Sequence, residues 1–229
     1  MSNQQTWFAL SNPDEVDSPA LLVFPERVRS NIAAAISMAG APGNLRPHIK
    51  THKSPEVTRL MLVGGITKFK CATIAEAELL ALEAAPDVLL AYQPTGPKLA
   101  RFVQLVKKYP STKFSCLTDN IQVAEAQSAA LVQSGLRAGV YVDLNIGMNR
   151  TGIEPGPAAL ELYRHCTTLK GMDIKGLHAY DGHIRNRDIN LRALACDAAF
   201  EPVLRMKEMI IKEGFNPPTI IAGAPDPPA

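Results

Sequence analysis

Short apolar runs alternate with longer segments rich in Ala, Leu and Glu along most of this chain. Eight runs read as strands: 19–24, 45–50, 68–73, 87–92, 113–119, 138–145, 173–180 and 219–224. Strand-then-helix units of this spacing predict a parallel sheet with crossover helices. Strands that are apolar throughout indicate a sheet covered on both faces. The pattern therefore predicts an α/β fold, either a TIM-type barrel or an open doubly wound sheet.

Helix boundary signals support this division. Ser54 followed by Pro55 is typical of a helix N-terminus, Thr73–Glu76 has the pattern of a capping box, and 119–122 carries a similar signal. Three glycines indicate helix ends: Gly64, Gly65 and Gly135. No GxGxxG follows the first strand and no GxxxxGK[ST] occurs, so nucleotide-binding versions of the open sheet lose support.

Composition narrows the class of protein further. The 229 residues are 46% hydrophobic and 20% charged, which is enough for a sizeable core. A net charge of +2 is too small to favour nucleic acid or an anionic membrane as partner. The N-terminus lacks a signal-peptide pattern, and no apolar run is long enough to span a membrane. The four cysteines form no CxxC pair, which favours reduced thiols and a cytoplasmic location.

The first candidate site is LRPHIKTHKSPE, residues 45–56, which holds five basic residues. Strand periodicity puts Arg46, His48 and Lys50 on one face. Lys50 falls at the carboxyl end of the predicted strand, where barrel enzymes place their active sites. Like charges nearby favour a neutral amine, which a Schiff base needs. The alternative is a solvated basic cluster.

The second candidate site lies at 141–156, where a strand ends in Asp143 and Asn145 before a glycine-rich turn. Arg150 stands between glycines in that turn and is a candidate for a fixed cation in the barrel mouth. The alternative is a tight turn with an exposed arginine.

The third candidate site is KGLHAYDGH, residues 175–183. Period 2 places His178 and Tyr180 on one face, and His183 follows the strand. An aromatic ring beside an imidazole suits a flat cofactor and a proton-transfer group. No regular metal-ligand spacing occurs here. A fourth stretch, 219–229, runs from a strand into Ala-Gly-Ala, which is either a phosphate-binding turn or a plain Gly/Pro turn.

Taken together, these stretches resemble a known family. RPHIKTHKSPEVTRLMLVGGITKFKCATIAEAELL, followed by DVLLAYQPTGPK, is similar to D-threonine aldolases and eukaryotic-type D-serine dehydratases. These are alanine-racemase-like, fold-type III pyridoxal-phosphate enzymes, and the resemblance runs from about residue 16 to 224. It implies a TIM-type (β/α)8 barrel of the alanine racemase N-terminal type, with pyridoxal 5'-phosphate as cofactor.

The resemblance also implies roles for particular residues. Lys50 would carry the cofactor through a Schiff base, with Lys53 as an outer neighbour. Arg150 would lie near the phenolic oxygen, and Tyr180 against the pyridine ring. Gly223 and Ala224 would offer backbone N–H groups to the phosphate. His183 would take the proton from the β-hydroxyl of a β-hydroxy-D-amino acid, so that the Cα–Cβ bond breaks to give glycine and an aldehyde.

The chain departs from the family pattern near its C-terminus. The family has Gly-Gly-Ser/Thr-Pro-Thr at the phosphate turn, whereas this sequence reads Gly-Ala-Pro-Asp from Gly223. The family continues into an eighth barrel strand and a β-domain with the divalent-metal ligands. We therefore expect a truncated member with about seven barrel strands and no metal ligands, in which 1–24 is a segment that would pair with the β-domain and 25–229 is the barrel. Such a barrel has unpaired edges, which predicts poor solubility or pairing with another chain, and little aldolase activity from this polypeptide alone.

The leading interpretation is a pyridoxal-phosphate lyase of the D-threonine aldolase type. A D-serine dehydratase-type lyase is one alternative, and a non-catalytic pyridoxal-phosphate-binding protein or an inactive fragment is another. We expect a small-molecule substrate, no nucleic acid or membrane partner, and a homodimer.

Overall fold

The computed structural model describes residues 8–223. Its helices in chain order are α1 Pro25–Ala39, α2 Pro55–Val63, α3 Ile74–Leu82, α4 Gly96–Lys108, α5 Ile121–Gln133, α6 Pro157–Thr168 and α7 Ile189–Lys212. Its strands are β1 Lys68–Cys71, β2 Asp87–Leu90, β3 Lys113–Thr118, β4 Ala138–Leu144, β5 Met172–Ala179 and β6 Thr219–Ala222. From α2 onwards, helices and strands alternate strictly.

All six strands are parallel, and each pairs with its neighbour in sequence, from β1 to β6. A doubly wound sheet reverses its strand order at a switch point, whereas this sheet grows in one direction only, as a barrel does. Leu89, Leu117, Tyr141 and Ile221, which come from four different strands, pack together. The sheet is thus a curled, partial barrel, and the predicted α/β barrel is confirmed.

Two predicted strands are not formed. At 45–50 the chain makes one parallel bridge between His48 and Lys70 and then turns into a 3-10 helix, Ile49–Thr51. Pro47 has no N–H to give to a ladder, so the segment does not become a regular strand. The structure therefore has six barrel strands in its described range rather than the seven expected.

The other missing strand is 19–24. Its apolar side chains are exposed, with Leu21 at 83% of its full accessibility. No described strand lies beside this segment, and a strand without a neighbour has no partner for its backbone hydrogen bonds. The pairing of residues 1–24 with a β-domain stays a prediction.

The segment at 45–50 is nevertheless held against the sheet. The Arg46 guanidinium donates to both carboxylate oxygens of Asp87, at 2.7 and 3.1 Å, and to the carbonyl of Phe69 at 3.3 Å. The N–H of Lys70 donates to the carbonyl of Pro47 at 2.9 Å. Ile49 is fully buried in the core between sheet and helices. These contacts fix the backbone that carries Lys50 at the edge of β1.

The predicted helix starts are present, with one shift. The hydroxyls of Ser54 and Thr73 accept the N–H groups of Val57 and Glu76. At α5 the cap is Asn120 rather than the preceding aspartate. The four cysteines are free, and three are buried: Cys71, Cys116 and Cys166. Over residues 8–223, the helices are too short or too polar to cross a bilayer.

Candidate functional site

Polar side chains gather at the carboxyl ends of the strands, above the apolar layer inside the barrel. Lys70 comes from β1, Asp143 from β4 and His178 from β5. Their side chains are almost inaccessible to solvent, with the residues exposed by 8%, 3% and 4% respectively. Side chains of a strand alternate between its two faces, so each of these positions points into the barrel while its neighbours pack under the helices. The carboxyl end of a barrel is where active sites form.

These three side chains form one hydrogen-bonded chain. Asp143 Oδ1 lies 2.6 Å from His178 Nδ1, and His178 Nε2 lies 2.7 Å from Lys70 Nζ. Asp143 Oδ2 also accepts hydrogen bonds from Thr151 at 2.9 Å and from Gln93 at 3.0 Å. Because an ionised carboxylate only accepts, His178 donates through Nδ1 and presents the lone pair of Nε2 to Lys70.

The charges in this chain follow from burial and its hydrogen bonds. Burial lowers the pKa of Lys70 to about 8; Asp143 opposes this fall and nearby cations add to it. Burial also lowers the pKa of His178, against the opposing hydrogen bond to Asp143. Burial raises the pKa of Asp143, but its hydrogen bonds outweigh that effect and bring the pKa below its usual value. At neutral pH, Asp143 is therefore a carboxylate, His178 a neutral imidazole and Lys70 an ammonium.

Three of the predicted cofactor residues lie close together at the same end of the barrel. Lys50 Nζ is 5.9 Å from the centre of the Tyr180 ring, and the Arg150 guanidinium carbon is 5.2 Å from it. Lys70 Nζ is 5.4 Å from the same ring. Lys50 and Arg150 are exposed to solvent, whereas Lys70 reaches the ring from the barrel interior. One aromatic ring is therefore surrounded by three cations.

The imidazole of His48 stands beside this cluster and is uncharged. Its Nδ1 accepts the backbone N–H of Lys50 at 3.2 Å. Burial is the main influence that lowers the pKa of His48 to about 4, and the cations of Lys50 and Lys70 add to it. His48 thus fixes the turn that carries Lys50. Lys53 points elsewhere, with Nζ 3.8 Å from a carboxylate oxygen of Glu76.

The turn that carries Arg150 is tied to two neighbouring strands. The amide of Gln93 donates to Asp119 as well as to Asp143, and the N–H of Gly152 donates to Asp119 at 3.2 Å. A side chain at Gly152 would place its Cβ 2.7 Å from backbone atoms of β4 and the residue after it. Gly152 therefore has to be glycine for this turn to pack against the strand.

The predicted base, His183, lies in the loop after β5. It is exposed, and a Cβ on Gly147 would come 2.7 Å from its Nε2. The imidazole thus packs over the turn that carries Arg150. Two residues before it, Asp181 is buried with Oδ1 unpaired, and burial raises the pKa of this carboxyl. The catalytic role of His183 stays a prediction.

The predicted phosphate turn is only partly described. The N–H of Gly223 donates to the carbonyl of Ala179 at 2.9 Å. A Cβ at Gly223 would stand 2.5 Å from the Tyr180 ring and 2.9 Å from Asp181 Oδ1. Ala224 lies outside the described residues. Phosphate binding at both positions stays a prediction.

The chemistry of these side chains fits pyridoxal phosphate. The cofactor needs a primary amine and cations for its anionic groups, and Lys50 with Arg150 supplies both. The enclosed space beside Asp143, His178 and Tyr180 is about 20 Å³, enough for about one water molecule. Within residues 8–223, no group of three or more His, Cys, Asp or Glu side chains is placed to hold a metal ion.

A wider cavity of about 840 Å³ lies at the opposite end of the barrel. It opens between the starts of β2, β3, β4 and β5 and is lined by Asp87, Lys113, Ala138 and Asp173 among others. Among the described residues, no hydrogen-bonded chain of buried titratable groups faces it. The carboxyl end, with its buried chain and its three cations, is the candidate site.

Sequence reasoning missed Lys70 and Gln93. Lys70 lies in a run that reads as an ordinary buried strand, between Phe69 and Cys71, which both pack under the helices. A lysine between two such residues is the available signal, because alternation turns it towards the barrel interior. Gln93 follows β2 in a loop and carries no signal of its own.

Comparison with known proteins finds one matching family and several similar proteins. Residues 24–224 match the family described as the alanine racemase N-terminal domain. The D-threonine aldolase of Arthrobacter sp. is 29% identical over 211 residues, which is 91% of this chain and 55% of that protein. The 3-hydroxy-D-aspartate aldolase of Paracoccus denitrificans (strain Pd 1222) is 29% identical over 213 residues, or 91% of this chain and 54% of that protein.

A solved structure has the same fold. The crystal structure of D-threonine aldolase from Filomicrobium marinum superposes with a TM-score of 0.84 at 25% identity, over 91% of this chain and 62% of that one. The chain thus spans about half the length of the curated relatives it matches.

Proposed function

Because this chain belongs to the alanine racemase N-terminal domain family, we propose that it binds pyridoxal phosphate and acts as a lyase on β-hydroxy-D-amino acids. One observation carries the proposal: the side chains of Lys50, Arg150 and Tyr180 converge at the carboxyl end of the barrel. They come from segments that are far apart in sequence. Two of the similar proteins are named aldolases, which supports the proposal that this chain is a lyase.

In this proposal, three residues hold the cofactor, each through a different interaction. Lys50 supplies the amine to which the cofactor is attached, and Arg150 supplies a fixed positive charge beside it. Tyr180 provides a flat face for the pyridine ring. The bound cofactor supplies an electron sink for the electrons released when a bond to the substrate's α-carbon breaks.

The proton of the substrate's hydroxyl goes to His183. Its imidazole is exposed at the same end of the barrel and packs over the turn that carries Arg150. A neutral imidazole in reach of a hydroxyl acts as a general base near neutral pH. When the β-hydroxyl loses its proton, the O–H electron pair forms the aldehyde C=O and the Cα–Cβ bond breaks, leaving its electron pair at Cα. Cα then takes up one proton, which balances the proton that His183 removed, and the product released is glycine.

The test is turnover of D-threonine by the chain loaded with pyridoxal phosphate, with glycine and acetaldehyde measured together and compared with free pyridoxal phosphate. The free cofactor is the reference because the expected activity of this polypeptide alone is low. Lys50→Ala removes the attachment point and should abolish product formation. Lys53→Ala is the matched control, because Lys53 lies three residues away and pairs with Glu76 outside the site. Equal loss in both variants, or full activity in Lys50→Ala, would overturn the assignment.

A dehydratase reaction on the same substrates is the second candidate, and one relative, from Delftia sp., is named D-threo-3-hydroxyaspartate dehydratase. The products separate the two reactions. A dehydratase releases ammonia and a 2-oxo acid, whereas an aldolase releases glycine and an aldehyde. Measurement of both product pairs on the same sample decides between them.

A further inference from the structure

Lys70 is the one buried cation of the described site to which the proposed function gives no role. Its Nζ lies 2.7 Å from His178 Nε2 inside the barrel. A lysine is rarely buried without a reason, because its ammonium loses its hydration. Here β1 places it between two apolar neighbours and directs it to the point where the strands end.

Two side chains inside the barrel, His178 and Asp143, fix the position of the Lys70 amine. His178 accepts a hydrogen bond from the ammonium at its Nε2 lone pair and is itself held by Asp143, so the amine cannot withdraw without breaking a buried hydrogen bond. A protonated lysine has three N–H donors, of which His178 takes one. The other two remain at the side of the amine that faces Tyr180, 5.4 Å from the ring centre.

The charges around Lys70 favour an incoming anion. The groups that face it are Asp143, Asp181, His178, Lys50, Arg150, Arg46, His48 and Tyr180. Arg46 is neutralised by Asp87, and His48 and His178 are uncharged near neutral pH. Three cations, Lys50, Lys70 and Arg150, therefore surround the Tyr180 ring. The nearby carboxyl groups are those of Asp143 and Asp181, so the cations outnumber the carboxylates.

We propose that Lys70 is a further cofactor-binding residue, whose ammonium donates a charge-assisted hydrogen bond to the phenolic oxygen of pyridoxal phosphate. The inference rests on the proposed function, since it concerns the same cofactor. Lys70 and Arg150 then hold that oxygen as an anion between them. Asp143 and His178 are positioning residues that keep the ammonium in place.

The burial of Lys70 gives the interaction a pH dependence. Its pKa of about 8 means that the amine is charged near pH 7 and has mostly lost its proton by about pH 9. The binding contribution of Lys70 should follow that change. A residue that only fills space would contribute equally at both pH values.

The experiment uses 4'-deoxypyridoxine 5'-phosphate, which has no aldehyde and therefore binds without a bond to Lys50. Its dissociation constant is measured at about pH 7 and about pH 9 for the unmodified chain, for Lys70→Met and for Lys68→Met. Lys68 is the matched control, because it lies on the same strand and donates to the carbonyl of Gly43 away from the site. At pH 7, Lys70→Met should bind about tenfold more weakly or worse, as loss of a hydrogen bond to a charged group predicts.

The absorbance of the bound analogue gives a second readout. The absorption band of its ionised phenol should shift between the unmodified chain and Lys70→Met at pH 7, because the ammonium stabilises the negative charge on the oxygen, and Lys68→Met should show no shift. At pH 9 the affinities of the unmodified chain and Lys70→Met should converge. If Lys70→Met does not fold, the amine is followed by NMR in the unmodified chain with 15N-labelled lysine, where binding should raise the pKa of Lys70.

The outcomes separate the two proposals. If the unmodified chain binds neither the analogue nor pyridoxal phosphate, the proposed function fails and the role of Lys70 fails with it. If the unmodified chain binds and Lys70→Met binds equally well, with the same spectrum and pH profile, only the role of Lys70 is overturned. An unchanged pKa of Lys70 on binding overturns it as well.

Discussion

Replacement of Lys70 by methionine should remove a specific part of the pH dependence of stability. Lys70 is 8% exposed and has a pKa of about 8 in the folded chain, against 10.5 for an unperturbed lysine. Methionine has nearly the same length and shape but no charge. The substitution therefore removes the titration while it keeps most of the packing.

The sign of the effect follows from proton counting. Between about pH 8 and 10.5 the unfolded chain binds a proton at Lys70 that the folded chain has lost, so stability rises with pH in that window. At about 1.4 kcal/mol for each pH unit, the free energy of unfolding gains about 3 kcal/mol over the window from this residue. Below about pH 8 both states are protonated and the contribution is flat.

The assay is urea denaturation at several pH values from about 7 to 10, with the free energy of unfolding compared between the unmodified chain and the variant. Other groups that titrate in this range are common to both chains, so their effects cancel in the difference. Lys68→Met should keep the full rise, since Lys68 is only partly buried. Parallel curves for the unmodified chain and Lys70→Met would refute the reasoning.

Three further substitutions test the surroundings of the site. Arg46→Met leaves Asp87 without its two hydrogen bonds and should lower the free energy of unfolding by about 3 kcal/mol in urea denaturation; a loss near zero would contradict the anchoring of this segment. Thr73→Ala removes the N-cap of α3 and should cost about 1 kcal/mol in the same assay, with no change in cofactor affinity. Gly223→Ala puts a Cβ 2.5 Å from the Tyr180 ring, so it should weaken binding of pyridoxal phosphate in a fluorescence titration, and unchanged affinity would show that this packing is unimportant.

The parallel sheet was predictable from sequence because its strands carry their own signals. The runs that became β1 to β6 are apolar and bounded by caps and turns, and a parallel strand covered on both faces needs little else. The two failures have different physical causes. Residues 19–24 have the composition of a strand but no described strand beside them to pair with, and sequence alone does not give that neighbour. Residues 45–50 do lie beside β1, but Pro47 has no N–H for a ladder and the backbone turns into the 3-10 helix at Ile49.

The part of the candidate site that lies within one strand was predictable from the alternation of its side chains. Alternation put His178 and Tyr180 on one face of β5, and both face Lys70 in the structure. The bond between His178 and Asp143 joins residues 35 positions apart, and that between His178 and Lys70 joins residues 108 positions apart. These pairs depend on barrel curvature, which no local pattern contains.

The central claim is that Lys50 is the residue to which pyridoxal phosphate is attached. The most direct measurement is reduction with borohydride after incubation with the cofactor, followed by mass spectrometry of the peptides. The account predicts one labelled site, Lys50, in the unmodified chain and in Lys53→Ala, and no label in Lys50→Ala. A label on Lys53 or Lys70, or no label on the unmodified chain, would contradict it.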